Sequence, residues 1–232
     1  MVALLLGQLQ ICAQTTNKTT TMKITYIMDP QCGWCYGNSD NITALKEEFK
    51  DDFDFELLLG GMWLGGNAPV GGEGLSQFIQ KHAPRMAATT GAMVDSTYYA
   101  LAKDSTYTFS SLEPSAAIQL IKEISPDKVF PFAKKVQQAL FTEGKRLDKK
   151  ETYFEIIKTM SIDTVDFDRL WMAEDNIAKT RAEFAHAAKL ANGFPALLLT
   201  TNGSTQTLAS GYFNKAAMIH KLNQFKATKI SK

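Results

Sequence analysis

The chain has 232 residues, 45% of them hydrophobic, which is enough to bury the core of one large domain or of a domain carrying an insertion. Lys and Arg number 25 and Asp and Glu 24, a formal net charge of +1, and the signs are interleaved, so no block of like charge points to nucleic acid or an anionic membrane as a partner. Three cysteines, Cys12, Cys32 and Cys35, are too few for a disulfide-stapled miniature scaffold, and the pair three positions apart becomes the informative feature.

Residues 1–13 are apolar but too few to span a bilayer, and a Thr-rich polar tether follows to residue 21. The segment resembles the back half of a secretory signal, with Ala13 as the small residue at a cleavage point and no basic residues before the apolar run. It predicts an exported, periplasmic or similar location without stable membrane insertion. The alternative is a cytoplasmic protein starting at Met22.

Residues 24–28 (Ile-Thr-Tyr-Ile-Met) are β-branched and aromatic and predict a buried strand, and residues 41–49 predict the helix after it. Between them lies Asp29-Pro30-Gln31-Cys32-Gly33-Trp34-Cys35-Tyr36-Gly37, placing Cys32 at a strand-to-helix junction. Unpaired N–H groups and the positive dipole end of a helix stabilise a thiolate, the form that attacks disulfides. Cys35, one turn further in, would be shielded until Cys32 forms a mixed disulfide, and would then resolve it.

Residues 53–59 predict a second buried strand, giving a β-α-β start. Seven glycines within residues 60–74 predict a flexible connection, either a surface loop leading into an inserted domain with its apolar residues tucked in, or a mobile lip whose Met62 and Trp63 offer apolar contact to a bound peptide. That stretch matches neither a phosphate-binding loop nor the dinucleotide fingerprint, and no cofactor is implied. Helices are predicted over residues 75–88, 114–124, 130–141, 149–160 and 166–190, with Asp163 or Asp166 available to cap the last of these, the penultimate helix of the chain. The chain then returns to strand over residues 196–200 after Gly193-Phe194-Pro195, turns at Asn202-Gly203, pairs back over 205–209, and ends in a helix over 214–225.

Zinc is the chemical rival for a spaced cysteine pair, but a tetrahedral site needs two more ligands. No second pair exists, and His82, His186 and His220 each sit inside an amphipathic helical pattern, so no metal site is predicted.

Taken together, the order β-α-β, helical block, β-β-α and the motif at residues 29–37 resemble the DsbA-like family: α/β proteins with a thioredoxin fold and a large helical insertion. The nearest branch holds the FrnE-type dithiol oxidoreductases and the hydroxychromene-carboxylate isomerases, which share the Asp-Pro-x-Cys-x-Trp-Cys-Tyr style of motif, with one spacing difference at Gly37. The resemblance implies a thioredoxin-like domain in two halves, residues 22–74 and 191–232, around an inserted helical domain of residues 75–190. It implies that Pro195 is a cis-proline opposite the thiols, turning the backbone of Phe194 toward substrate.

The implied activity is dithiol–disulfide exchange, with Cys32 as nucleophile and Cys35 resolving, on disulfide- or thiol-containing proteins or small molecules, regenerated by a redox partner. Trp34, Phe194, Pro195, Met62 and Trp63 would contact substrate. Glutathione-dependent isomerisation and non-catalytic peptide binding are the alternatives. The isomerases and kappa-class glutathione transferases lack a redox pair, whereas both cysteines are kept here. The strongest oxidants of the wider family place a histidine between the cysteines; Gly33-Trp34 carries no charge and predicts a poise nearer an isomerase or reductase. An acidic residue usual in the first strand is replaced by Tyr26 and Ile27, leaving water or Asp29 to take the Cys35 proton.

Overall fold

The computed structural model describes residues 22–163 and 165–230. Cys12 and the predicted leader lie outside the described residues. The order is β1 (Lys23–Met28), α1 (Gly33–Phe49), β2 (Asp54–Leu59), then α2 (Glu73–Thr90), α3 (Ser96–Leu101), α4 (Leu112–Ile124), α5 (Val129–Phe141), α6 (Lys150–Thr159), α7 (Phe167–Leu170) and α8 (Glu174–Leu190). The chain returns through β3 (Ala196–Thr201), β4 (Ser204–Ser210) and α9 (Lys215–Ile230).

The sheet order is β2-β1-β3-β4, with β1 parallel to β2 and antiparallel to β3, and β3 antiparallel to β4. Because side chains alternate along a strand, the apolar runs split cleanly between two faces. Ile24, Tyr26, Met28, Leu57, Leu59, Leu197 and Leu199 enter the main core with Ile42, Leu45 and Phe49 of α1. Ile27, Leu58, Ala196 and Leu198 form a smaller cluster on the other face, closed by Ala187 of α8. The stretches of β1, β2 and β3 that are covered on both faces, Tyr26–Met28, Leu57–Leu59 and Ala196–Leu199, are therefore apolar at consecutive positions, whereas β4 is mostly polar and exposed.

Three expectations change. Helix α1 begins at Gly33, not at residue 41. Gly33, Gly37, Asn38 and Ser39 are poor helix formers, but tertiary contacts hold them in the helix. Asn38 Oδ1 accepts from Phe213 N at 3.3 Å, Asn41 Nδ2 donates to the Phe213 carbonyl at 2.8 Å, and Gly37 lies so close to Thr90 that a Cβ would clash at 2.5 Å.

The single helix expected over residues 166–190 is two, because the Trp171 carbonyl is taken by Asn176 Nδ2 at 2.7 Å, while the Trp171 indole N–H donates to the Glu113 carbonyl at 2.9 Å. Neither Asp163 nor Asp166 caps a helix by its side chain: Asp166 begins α7 without a side-chain cap bond, and Asp163 Oδ1 accepts from Val165 N at 3.0 Å.

The third change concerns the glycine-rich stretch, which is pinned rather than free. Met62 N, Trp63 N and the Trp63 carbonyl are all bonded to Asp29 or Ser111, and Val70 forms a bridge with Thr108. Gly71 N donates to the Tyr107 carbonyl and Gly72 N to the Ala102 carbonyl, each at 2.8 Å.

Candidate active site

Cys32 is the N-cap of α1. Its backbone is extended (φ −82°, ψ 113°), its N–H donates to the Asp29 carbonyl at 3.1 Å, and its Sγ accepts from Cys35 N at 3.4 Å. The sulfur thus takes the place that a Ser or Asp side chain takes at other helix starts, facing the unpaired N–H groups of the first turn. Both thiols are free. Cys35 is completely buried, whereas Cys32 keeps 5% of its surface, so only Cys32 can meet a substrate first.

Burial pushes the Cys35 thiol well above its ordinary range, and its hydrogen bond with Cys32 adds to the effect. Below the pair, the Tyr26 hydroxyl donates to the Cys35 carbonyl at 3.3 Å. Tyr26 is fully buried, and desolvation together with the charges of Cys35 and Cys32 raises its phenol well above the usual value.

Asp29 is the buried acid of the site. Its Oδ1 accepts from Gln31 N at 2.8 Å and from Ser111 Oγ at 3.0 Å, and its Oδ2 accepts from Met62 N at 2.8 Å. Ser111 Oγ in turn accepts from Trp63 N at 3.1 Å, and Gln31 Nε2 donates to the Ser110 carbonyl at 2.9 Å. One carboxylate therefore ties the dithiol turn, the end of β2 and the start of α4 together. Desolvation raises its pKa from the ordinary 3.8 to about 6, against the lowering effect of its three donors.

The Phe194–Pro195 bond is cis, and the Phe194 carbonyl accepts from Cys32 Sγ at 3.7 Å. The Phe194 ring lies against Gly60, where a Cβ would come within 2.1 Å of it, and packs on both the main core and the smaller cluster. Gly60 is needed for that close approach.

A cavity of about 200 Å³ opens beside Cys32. Trp34, Met62 and Trp63 line it with Cys32, whereas Phe194 and Pro195 do not. The rest of the lining includes residues that the sequence did not assign to the site: Phe78, Ile79, His82 and Met86 of α2, Tyr98 of α3 and Phe141 of α5. The 3.6-residue spacing of 78, 79, 82, 83 and 86 marks an apolar face on α2, but nothing local says what that face meets. Among the described residues no group of three or more His, Cys, Asp or Glu is placed to hold a metal ion, and no helix is long and apolar enough to cross a membrane.

A mixed sheet with a cis-proline loop facing a Cys-x-x-Cys pair at the first turn of a helix, interrupted by a helical block, defines the DsbA-like class of thioredoxin-fold proteins, and this chain has that fold. No family model and no curated protein matches the sequence. Among solved structures, the cytosolic disulfide reductase DsbM from Pseudomonas aeruginosa is 28% identical, with a TM-score of 0.70 over 81% of this chain and 89% of that one; it has also been solved with GSH. A candidate protein disulfide isomerase from Nitrosomonas europaea aligns over 90% of this chain and 98% of its own, with a TM-score of 0.79 at 20% identity. A 2-hydroxychromene-2-carboxylate isomerase shares the fold at a TM-score of 0.57 and 10% identity, over 90% and 97% of the two chains.

Proposed function

We propose that the chain is a thiol–disulfide oxidoreductase acting on disulfide- or thiol-containing proteins or small molecules, regenerated by a separate redox partner. The observation that carries this reading is Cys32 Sγ at the helix cap, 3.4 Å from Cys35 N and 3.7 Å from the Phe194 carbonyl. The Cys32 thiolate attacks one sulfur of a substrate disulfide, and the other sulfur leaves as a thiolate. Cys35 then attacks Cys32 Sγ, the substrate thiolate departs, and two electrons have passed from the dithiol to the substrate. The reverse sequence oxidises a substrate dithiol.

Cys35 must lose its proton for the second step, and burial opposes that. Asp29 takes this proton: it is buried close enough for its charge to act on Cys35, and its pKa of about 6 keeps it ionised at neutral pH. Trp34, Met62 and Trp63 contact the substrate beside Cys32, and the backbone at Phe194 and Pro195 pairs with its chain. Gly33 and Trp34 add no charge between the thiols, in keeping with a reductase or isomerase poise. The apolar residues 1–13 support export, which mass analysis of the mature N-terminus tests.

Replacing Cys32 by Ser abolishes insulin reduction, and Cys35→Ser accumulates the mixed disulfide on Cys32. Unchanged activity in Cys32→Ser would remove the dithiol from the chemistry. Equilibration with a glutathione redox buffer then gives the direction of electron flow.

A further inference from the structure

Resting on the exchange reading above, we infer that His82 of α2 is a catalytic residue, the general acid that gives a proton to each substrate sulfur as it leaves and takes one back when the reaction runs in reverse. The base side of the exchange has its group in Asp29, which takes the Cys35 proton. Nothing in the dithiol turn serves the departing thiolate, because Gly33 and Trp34 carry no titratable group.

The geometry fixes where that thiolate appears. The three sulfurs of an exchange lie close to a line, the attacking one opposite the leaving one. Cys35 is completely buried and has no place on the cavity wall, so its attack on Cys32 Sγ comes from the protein side and drives the substrate sulfur outward. Cys32 lines the cavity of about 200 Å³, and that space receives the departing sulfur.

Three side chains on the wall titrate: Cys32 of α1, Tyr98 of α3 and His82. Cys32 is the nucleophile. Desolvation pushes the Tyr98 phenol well above its usual value, and the charges of Tyr107, Tyr99 and Cys32 add to the effect, so it exchanges no proton near neutral pH. The amide of Gln31 and the indoles of Trp34 and Trp63 have no proton to lose in this range. Imidazole is the side chain that both carries and gives up a proton between about pH 5 and 8, which leaves His82.

His82 is also placed to turn over. Its ring lies 4.4 Å from that of Phe78, which steadies it on the cavity side of α2. Its ring nitrogens are bonded to no other group among the described residues. The residue is exposed, so water restores the proton after each departure. Its charged neighbours within one turn of α2 are Lys81 and Arg85, both exposed, and no carboxylate lines the cavity to compete for the proton.

In the resolving step the Cys35 thiolate attacks Cys32 Sγ, the bond from Cys32 to the substrate breaks, and its electron pair leaves on the substrate sulfur. The His82 imidazolium passes its proton to that sulfur, giving a neutral thiol and a neutral imidazole. The first step ends in the same way, with the other sulfur of the substrate disulfide as acceptor. An imidazolium is about a hundredfold stronger as an acid than an ordinary cysteine thiol, so the transfer runs downhill. Such an acid helps a basic leaving thiolate far more than an acidic one.

The test uses the reduced chain and the symmetrical disulfides of three neutral thiols of falling basicity: 2-mercaptoethanol, methyl mercaptoacetate and trifluoroethanethiol. Both sulfurs of each disulfide are alike, so the leaving thiol is known. Thiol loss at Cys32 and Cys35 is trapped with acid and followed by peptide mass, and N-acetylcysteine in water provides the reference reaction. A free thiolate reacts faster as the leaving thiol becomes more acidic.

Across the series the native chain is expected to show a rate span smaller than the reference by about tenfold or more. His82→Gln restores the reference span with an unchanged unfolding midpoint, as expected at an exposed position, whereas His186→Gln, at an exposed histidine of α8, keeps the native one. A native span as wide as the reference, or one that survives in His82→Gln, would overturn the role of His82 and leave the exchange chemistry standing. Thiol loss at Cys35 just as fast in Cys32→Ser would overturn the exchange reading and the acid with it.

Discussion

Two carboxylates, Asp29 fully buried and Glu183 partly so, hold the end of β2, and they do it by opposite means. Glu183 of α8 accepts from Leu59 N at 2.6 Å and is ion-paired with Lys122 of α4. Asp29 accepts from Met62 N at 2.8 Å, only three residues further on, and is held by N–H and O–H donors without a cation. On the Glu183 side burial lowers the Lys122 pKa, and the attraction of Glu183 opposes that shift. On the Asp29 side no positive charge among the described residues offsets desolvation, and the acid moves to about 6. The same backbone task is thus done by a fixed pair away from the thiols and by a titratable group beside them. A counter-ion would have locked Asp29 as an anion; its absence from the donor set leaves a group able to take and return a proton.

The largest effect is expected on the paired side. Glu183→Ala leaves Lys122 buried without its partner and removes the acceptor of Leu59 N, so unfolding in denaturant should show a loss of about 3–5 kcal/mol. A loss within the range of surface substitutions would break the comparison, because the pair would then not be what fixes this end of the strand.

On the Asp29 side the expected signature is a pH dependence. The folded-state pKa lies above the ordinary 3.8, so the native chain binds the proton more tightly than the unfolded one. The stabilisation is complete below about pH 4 and is lost as the pH rises through about 6, a fall of about 3 kcal/mol. Asp29→Asn should flatten that fall, and it should also slow resolution of the Cys32 mixed disulfide, whose rate in the native chain rises through about pH 6 as Asp29 ionises. Stability and single-turnover resolution measured between pH 4 and 8 check both. A resolution rate with the same pH profile in Asp29→Asn would assign the proton to another acceptor.

The smallest effect belongs to Ser111→Ala. It removes one donor from Asp29 Oδ1 and the acceptor of Trp63 N. The expected loss is about 1–2 kcal/mol, with the pH midpoint of resolution moving upward because a donor that lowers the Asp29 pKa has gone. A downward shift would mean that Ser111 does not act through the carboxylate.

The strands, the hairpin at Asn202-Gly203 and the dithiol were legible because each has a local cause: continuous apolar runs, a turn dipeptide and two thiols one turn apart; the cis state of Pro195 followed from the family resemblance alone. Met62 and Trp63 were legible as apolar residues on a connection, but not as pinned ones. Their restraints come from Asp29 and from Ser111, 48 residues beyond Trp63, and that pairing exists only after folding. The start of α1 was hidden by Gly37 and Asn38, which are helical only because Thr90 and Phe213 pack against them. The α2 wall of the cavity beside Cys32 showed its period and concealed its neighbour. Short α3 had no pattern long enough to read.

Two of the three tryptophans, Trp34 and Trp63, share the chamber with Cys32, while the third, Trp171, is buried elsewhere with its indole bonded to the Glu113 carbonyl. The protein therefore carries its own optical reporter. Indole emission responds to nearby sulfur chemistry and to the exclusion of water, so the passage from dithiol to disulfide and the arrival of a peptide can each be followed in the unlabelled chain, with Trp171 as the internal reference.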